Sequence, residues 1–155
     1  MIYTKSSLAG DNIKPEYVTA NSSLAEAATT KKLVDFTTQL GGPIIKDKLF
    51  YFASAQRYEK KDEPIGPRTR LDEASNRLNL KLTYQAGPND NLVGSLQFDN
   101  YNIIGRSGYN ALTDTNDITN REDAPEYVWN TQWRHLFGSK TFTEVKYTGW
   151  WGYYD

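Results

Sequence analysis

The chain is 155 residues long, has no cysteine, and is 38% hydrophobic and 14% aromatic, which suits one domain with a core and excludes a disulfide-stapled scaffold. Eighteen Lys plus Arg stand against nineteen Asp plus Glu, so no positive excess exists to hold nucleic acid or an anionic membrane surface by charge alone, and nucleic-acid binding is set aside. A mean hydropathy of −0.70 and the lack of any run of about eighteen apolar residues exclude a transmembrane helix but not a membrane β-barrel, whose strands are apolar on one face only.

Met1 to Gly10 (MIYTKSSLAG) carries no basic start, apolar stretch or small-residue cleavage site of an export signal. At the other end the chain stops at Tyr153, Tyr154 and Asp155, directly after a strand-like pattern, and both ends are read as cuts in a longer protein. Ser23 followed by Glu26 forms a capping box ahead of Ala-rich residues, which predicts a short helix running up to Leu33. Residues 1–33 are thus expected to form a loop segment with one short helix. Asn21, Ser22 and Ser23 also make a glycosylation sequon, which means little if the compartment is bacterial.

From Val34 onward the dominant signal is period two, in pairs of strand-like runs joined by short turns rich in Gly, Pro, Asn and Asp. The first hairpin runs from Val34 to Gly42, turns through Pro43 to Lys48 and returns from Leu49 to Tyr58. The second runs from Asn76 to Gln85 and from Asn91 to Tyr101, and the third from Glu126 to Leu136 and from Thr141 to Tyr153. A correct antiparallel register sets apolar residues opposite apolar ones. That test places Tyr84 opposite Leu92, Leu80 opposite Leu96 and Arg77 opposite Asp99 in the second hairpin. In the third it places Trp133 opposite Val145, Tyr127 opposite Trp151 and Arg134 opposite Glu144. In the first, Leu40 with Tyr51, Thr38 with Ala53 and Phe36 with Ala55 make one face, while Phe50 and Phe52 break the polarity of the other.

Connections between hairpins are long, Glu59 to Ser75 and Asn102 to Pro125, whereas turns inside hairpins are short. This alternation, with strands of roughly 9 to 11 residues that are apolar on one face, is the pattern of an up-and-down outer-membrane barrel with short periplasmic turns and long outer loops. Tyr127, Trp129, Trp151 and Tyr153 crowd the loop-side end of the last hairpin, where an aromatic girdle would lie.

The stretch Asp35 to Phe52, DFTTQLGGPIIKDKLFYF, closely resembles the early-barrel segment of Oar-like TonB-dependent outer-membrane receptors. Gly41, Gly42, Pro43 and Ile44 match the first part of that motif, and Lys46, Asp47, Lys48, Leu49, Phe50 and Phe52 the second, with Tyr51 at a further aromatic position. The run from Asn76 to Asn102 is similar to the next strands of the same family, so the resemblance covers most of residues 34–155. Read on their own, these residues are structural: Gly41 and Gly42 permit close approach or positive φ, Pro43 ends ladder pairing so that the chain leaves the sheet, and Lys46, Asp47 and Lys48 keep the turn in water. The resemblance implies import across an outer membrane by a barrel of about 22 strands with an N-terminal plug, driven through a TonB box by an inner-membrane complex. The plug and the TonB box are not in this sequence, and about six strands cannot close alone, since the smallest single-chain barrels have about eight.

Other chemistry finds little support. His135 is the only histidine and lies beside the third turn on the face of Trp133, which suits an interfacial side chain better than a catalytic triad. Without cysteine a cysteine-based zinc site is impossible, and a lone histidine rules out a His-rich one. Asp114 to Asp117 lacks the glycine and distant glutamate of an EF-hand loop. Glu122, Asp123 and Glu126 lack any partner motif of a glycoside hydrolase, and Gly105 to Gly108 lacks the spacing and lysine of a phosphate loop. Tyr101, Arg106 and Tyr109 are the best candidates for ligand contact, because aromatic and Arg side chains in a loop combine stacking with hydrogen bonding.

The expected fold is all-β, antiparallel up-and-down hairpins forming an arc of a transmembrane β-barrel, with a short helix in the first loop. It divides into an extracellular loop segment, 1–33, and a partial barrel of about six strands, 34–155. The expected function is that of a wall fragment of a TonB-dependent transporter in the bacterial cell outer membrane, with loops that contact substrate, and not that of an enzyme. Its expected partners are outer-membrane lipid, the remainder of the barrel and plug, the TonB complex and an imported substrate, with no cofactor, metal or nucleic acid. The rival reading is a soluble β-sandwich or barrel acting as a carbohydrate-binding module, and a third is an adhesin barrel. Burial discriminates: a soluble domain hides Leu78, Leu80, Leu82, Leu96 and Phe98 in a core, and a barrel arc turns them outward.

Overall fold

The computed structural model of the chain describes residues 1–5, 7, 14–22, 29–63, 70–107 and 119–155. Among these residues the elements are strands β1 (Ile2–Lys5), β2 (Thr29–Ile45), β3 (Leu49–Glu63), β4 (Leu71–Gln85), β5 (Asp90–Ser107), β6 (Thr119–Phe137) and β7 (Thr141–Gly152), with the helix α1 (Pro15–Ala20). The strands form one seven-stranded sheet whose spatial order is the chain order, and every neighbouring pair is antiparallel. The all-β, up-and-down hairpin architecture expected from the period-two pattern is therefore what the chain adopts.

The registers of the second and third hairpins are those the side-chain pairing demands. Tyr84 faces Leu92, Leu80 faces Leu96 and Arg77 faces Asp99, while Trp133 faces Val145, Tyr127 faces Trp151 and Arg134 faces Glu144. The first hairpin departs by two residues: Leu40 pairs with Ala53, Thr38 with Ala55 and Phe36 with Arg57. The cause is a tighter turn. β2 runs on through Gly41, Gly42 and Pro43 to Ile45, a bulge between Pro43 and Ile45 absorbs one residue, and Lys48 N–H bonds Ile45 O at 3.0 Å across Asp47 at φ 59°. Pro43 therefore does not end the pairing, as expected from its missing N–H, but sits opposite Phe50. It is tolerated there because β1 pairs only with Lys32–Asp35, so this part of β2 has no second neighbour among the described residues and no donor is missed.

Two further expectations change. The first 33 residues are not only loop: Ile2–Lys5 is an additional strand, bringing the sheet to seven rather than about six, and β2 begins at Thr29. The short helix lies at Pro15–Ala20, with proline in its first turn, where φ is already set for a helix; the stretch from Thr29 to Leu33 is strand, and Ser23–Glu26 lie outside the described residues. Cross-strand charge holds that polar strand end: Lys31 pairs with Glu63 at 2.7 Å and Lys32 with Glu59 at 2.9 Å, and Thr30 Oγ1 donates to Asp62 at 2.8 Å.

Alternation gives the sheet two unlike faces. One carries, rung by rung, Leu78, Phe98, Tyr127 and Trp151, then Leu80, Leu96, Trp129 and Gly149, then Leu82, Gly94, Thr131 and Tyr147, then Tyr84, Leu92, Trp133 and Val145. The other carries residues such as Ser54, Asn79, Gln97, Arg77 and Asp99. The burial is inverted relative to a soluble domain. Leu78, Leu80, Leu82 and Leu96 are 38–52% exposed, whereas Ser54, Ser75, Ile103 and Ala124, all of the polar face, are buried. With no second layer among the described residues, burial of one face alone means that the sheet curls around it: the polar face is concave and the apolar face convex.

Candidate functional site: a convex apolar band and a concave recess

The strands β3 to β6 are 15, 15, 18 and 19 residues long, longer than the roughly 9 to 11 that cross a bilayer. On the convex face only their turn-side halves are apolar. The four apolar rungs end at a contiguous aromatic row: Phe98 lies 4.8 Å from Tyr127, Tyr127 5.6 Å from Trp151, and Trp151 5.7 Å from Tyr153, centroid to centroid. Of the four residues expected in this girdle, Tyr127, Trp151 and Tyr153 stand in the row, joined by Phe98, while Trp129 lies one rung further into the band, between Leu96 and Gly149. A second aromatic row, this one running along β6, closes the band near the short turns, where Trp133 and His135 lie 5.9 Å apart and tilted, and His135 meets Phe137 edge-on at 4.5 Å. Sequence reading missed this row, although Trp133 and His135 share a face by simple alternation. Along β6, at roughly 3.4 Å per residue, Tyr127 of the first row lies about 20 Å from Trp133 and about 34 Å from Phe137, a span that brackets the apolar belt of about 25 Å on outer-membrane barrels.

Beyond the first aromatic row the convex face becomes polar at once. Arg57 donates to Asn76 at 3.0 Å, Asn102 donates to the Asp123 carboxylate, Arg121 pairs with Asp123 at 3.2 Å and Lys61 with Asp72 at 3.5 Å. Lys32 donates to Glu59 and holds that carboxyl below the usual carboxylate range, with Lys61 adding to the effect. These groups belong in water. At the opposite margin one Asp90 oxygen accepts from both Trp133 Nε1 at 3.0 Å and His135 Nδ1 at 2.7 Å, anchoring two members of the second aromatic row to the start of β5.

The family-motif residues lie at the first turn. Lys46, Asp47 and Lys48 form the turn between β2 and β3 and are exposed, as expected. Phe50 and Phe52 do stand on the polar face, 41% and 40% exposed, and Phe52 is the cross-strand partner of Gly41. A Cβ on Gly41 would lie 3.0 Å from Tyr51 O and 3.5 Å from the Phe52 ring, so the glycine lets that ring settle against the β2 backbone. Leu49 faces Tyr84 on the convex side.

On the long-connection half of the concave face lies a recess of 560 Å³. Its central rung alternates large and small across five segments: Tyr58, Ser75, Tyr101, Ala124 and, beyond β7, Tyr154. Ser75 is fully buried and Ala124 2% exposed, so neighbouring side chains close over the small positions. Carboxylates flank the rung on both sides, Glu73 and Glu122 above, Asp99 and Glu126 below, and Arg77 is the one guanidinium among the described lining residues. Asp99 is fully used: Ser75 Oγ donates to one oxygen at 2.5 Å and Arg77 Nε to the other at 2.6 Å. Tyr154 donates to Glu126 at 3.4 Å. Burial, with Glu73 facing it, pushes the Tyr58 phenol up, so that it stays a neutral hydrogen-bond donor.

Of the three ligand candidates named from sequence, Tyr101 lines this recess. Arg106 stands in β5 opposite Asn120, its side chain outside the described set, as is Tyr109. Glu122 and Glu126 reach the recess while Asp123, one residue out of phase, points to the convex side, so the three carboxylates do not form one cluster. Asp114 to Asp117 lie outside the described residues. No helix among the described residues is long and apolar enough to cross a membrane, which says nothing of strands. No protein-family model matches the chain, and neither a curated protein nor a solved structure is significantly similar to it.

Proposed function

We propose that this chain is an arc of an outer-membrane β-barrel wall, belonging to a TonB-dependent transporter. The observation that carries the reading is the convex band: exposed Leu78, Leu80, Leu82 and Leu96 between two aromatic rows, with ion pairs beginning directly beyond one of them. Such a surface costs free energy in water and is at home against acyl chains. The finer assignment to Oar-like receptors rests on the Gly41 to Phe52 motif and its likeness to that family. In this reading the concave face lines the lumen, the long connections face outside the cell, and the terminal strands of the sheet, β1 and β7, pair with further wall strands. The partners are outer-membrane lipid, the rest of the barrel with its plug, the TonB complex and an imported solute, and the chain's role is structural and not enzymatic.

The rival carbohydrate-binding module needs a second layer over the convex face, and no described residue supplies one. The deciding experiment is sedimentation of the full chain in buffer and in detergent micelles. The barrel reading expects association in buffer and a dispersed, β-rich species in detergent; a folded monomer in plain buffer would overturn it.

A further inference from the structure

We propose that a second recess, on the concave face nearer the short turns, binds an acidic sugar, a polyhydroxylated ring that carries a carboxylate. Its volume is 360 Å³, within the range of sites that hold small ligands, and it lies behind the apolar band, on the other side of the same strands. The inference deepens the reading of the concave face as a lumen wall and rests on it for the sugar being cargo; the chemistry of the recess does not depend on closure of a barrel.

The strand registers bring three kinds of group together. On one rung Phe52, Lys81, Ser95 and Asn130 follow one another across β3 to β6, and on the next Asn79 faces Gln97. Facing residues in such a ladder have Cβ atoms about 5 Å apart, so these side chains converge on one surface. Elsewhere on this face polar groups are paired: Arg77 with Asp99 at 2.6 Å, Gln56 with Asp35 at 2.8 Å and Lys146 with Glu144 at 2.6 Å. Here the side chains of Asn79, Lys81, Ser95, Gln97 and Asn130 have no partner among the described residues, although Asn79, Ser95 and Asn130 are half-buried. Each amide presents donors and an acceptor side by side, which suits hydroxyls that also do both. Phe52 is 40% exposed on this otherwise polar face. A ring in water costs free energy that an apolar cover relieves, and the C–H face of a sugar is such a cover.

Lys81 selects the class of sugar. It is the one charged side chain among the described lining residues, and the carboxylates around it are engaged elsewhere. Asp99 is held by Arg77, Glu144 by Lys146 and Gln132, while Glu126 accepts from Tyr154 in the tyrosine recess. An ammonium among neutral amides favours a carboxylate, through a charge-assisted hydrogen bond. The ring and the amides thus specify a sugar, and the lysine its acid group.

The test is calorimetric titration of the full chain, in detergent micelles, with trigalacturonate. Maltotriose, of like size but uncharged, and citrate, charged but without a ring, are the comparisons. Saturable binding of trigalacturonate is expected, about tenfold or more tighter than that of either comparison. Lys81→Gln should abolish the preference over maltotriose, and Lys140→Gln, in the third turn, should leave it unchanged. Phe52→Trp, which keeps a ring, should retain the binding that Phe52→Ala loses, and circular dichroism identical to the parent shows that the variants fold. Absence of trigalacturonate binding, equal binding of maltotriose or citrate, or indifference to Lys81→Gln would overturn the proposal. The wall reading fails separately: a chain that sediments as a folded monomer in plain buffer refutes it, and the same titration is then made in that buffer.

Discussion

The Trp129 indole lies across Gly149, filling the space where a side chain at 149 would stand on the rung that joins β6 to β7. A Cβ at 149 would collide with the ring. Ala at this position should therefore force Trp129 off its rotamer and destabilise the sheet by about 1–3 kcal/mol, the usual cost of overpacking. Gly94 lies in the next rung of the same band with open space where its Cβ would be, and Gly94→Ala should cost little. Urea unfolding of the two variants in detergent micelles compares them directly.

The convex band sets a depth-dependent penalty. Leu80→Lys places a charge in the middle of the four apolar rungs and should cost about 2–4 kcal/mol of folding into vesicles. Asn100→Lys, on the same face but level with Arg57 and beyond the Phe98 row, should be nearly neutral. Equal penalties at the two positions would contradict the boundary drawn at the aromatic row.

Much of this was legible in the sequence because two hairpins carry strong pairing information: Arg77 with Asp99 and Arg134 with Glu144 fix the phase that the leucines and aromatics independently require. The first hairpin carries less. Thr38, Ala53 and Ala55 are small and indifferent to their partners, so a slip of two residues leaves the faces unchanged, and only the turn geometry at Asp47 and the bulge beside Pro43 settle the register. The polar start of β2 read as helix because the capping box at Ser23 and the Ala-rich residues after it carried that expectation up to Leu33. Its strand character comes from Glu59, Asp62 and Glu63 on β3, some thirty residues away. The recess was hidden for a related reason. Tyr58, Tyr101 and Tyr154 become one row only when the registers of four hairpin ladders are multiplied together, and no local pattern announces it.

Asp90 provides a pH-dependent lock at the turn side of the band. Hydrogen bonds from His135 and Trp133 hold its carboxyl below the ordinary 3.8. A carboxyl with a lowered folded-state value stabilises the fold above its unfolded value, and that contribution is lost as the pH falls through the lowered one. Asp90→Asn should therefore be less stable than the parent near neutral pH, and the gap should close as the pH is brought below 3.8. Denaturation of both proteins across that range checks the sign.

The central claim, that the convex face meets lipid and the concave face does not, is tested most directly by fluorescence quenching in vesicles with brominated acyl chains. Trp129 stands on the apolar face and Trp150 on the polar one, so full-length variants that keep one or the other as sole tryptophan report the two faces separately. Strong quenching of Trp129 by bromine at mid-chain, with Trp150 unaffected, is the predicted result. Equal quenching of both, or quenching of neither, would contradict it.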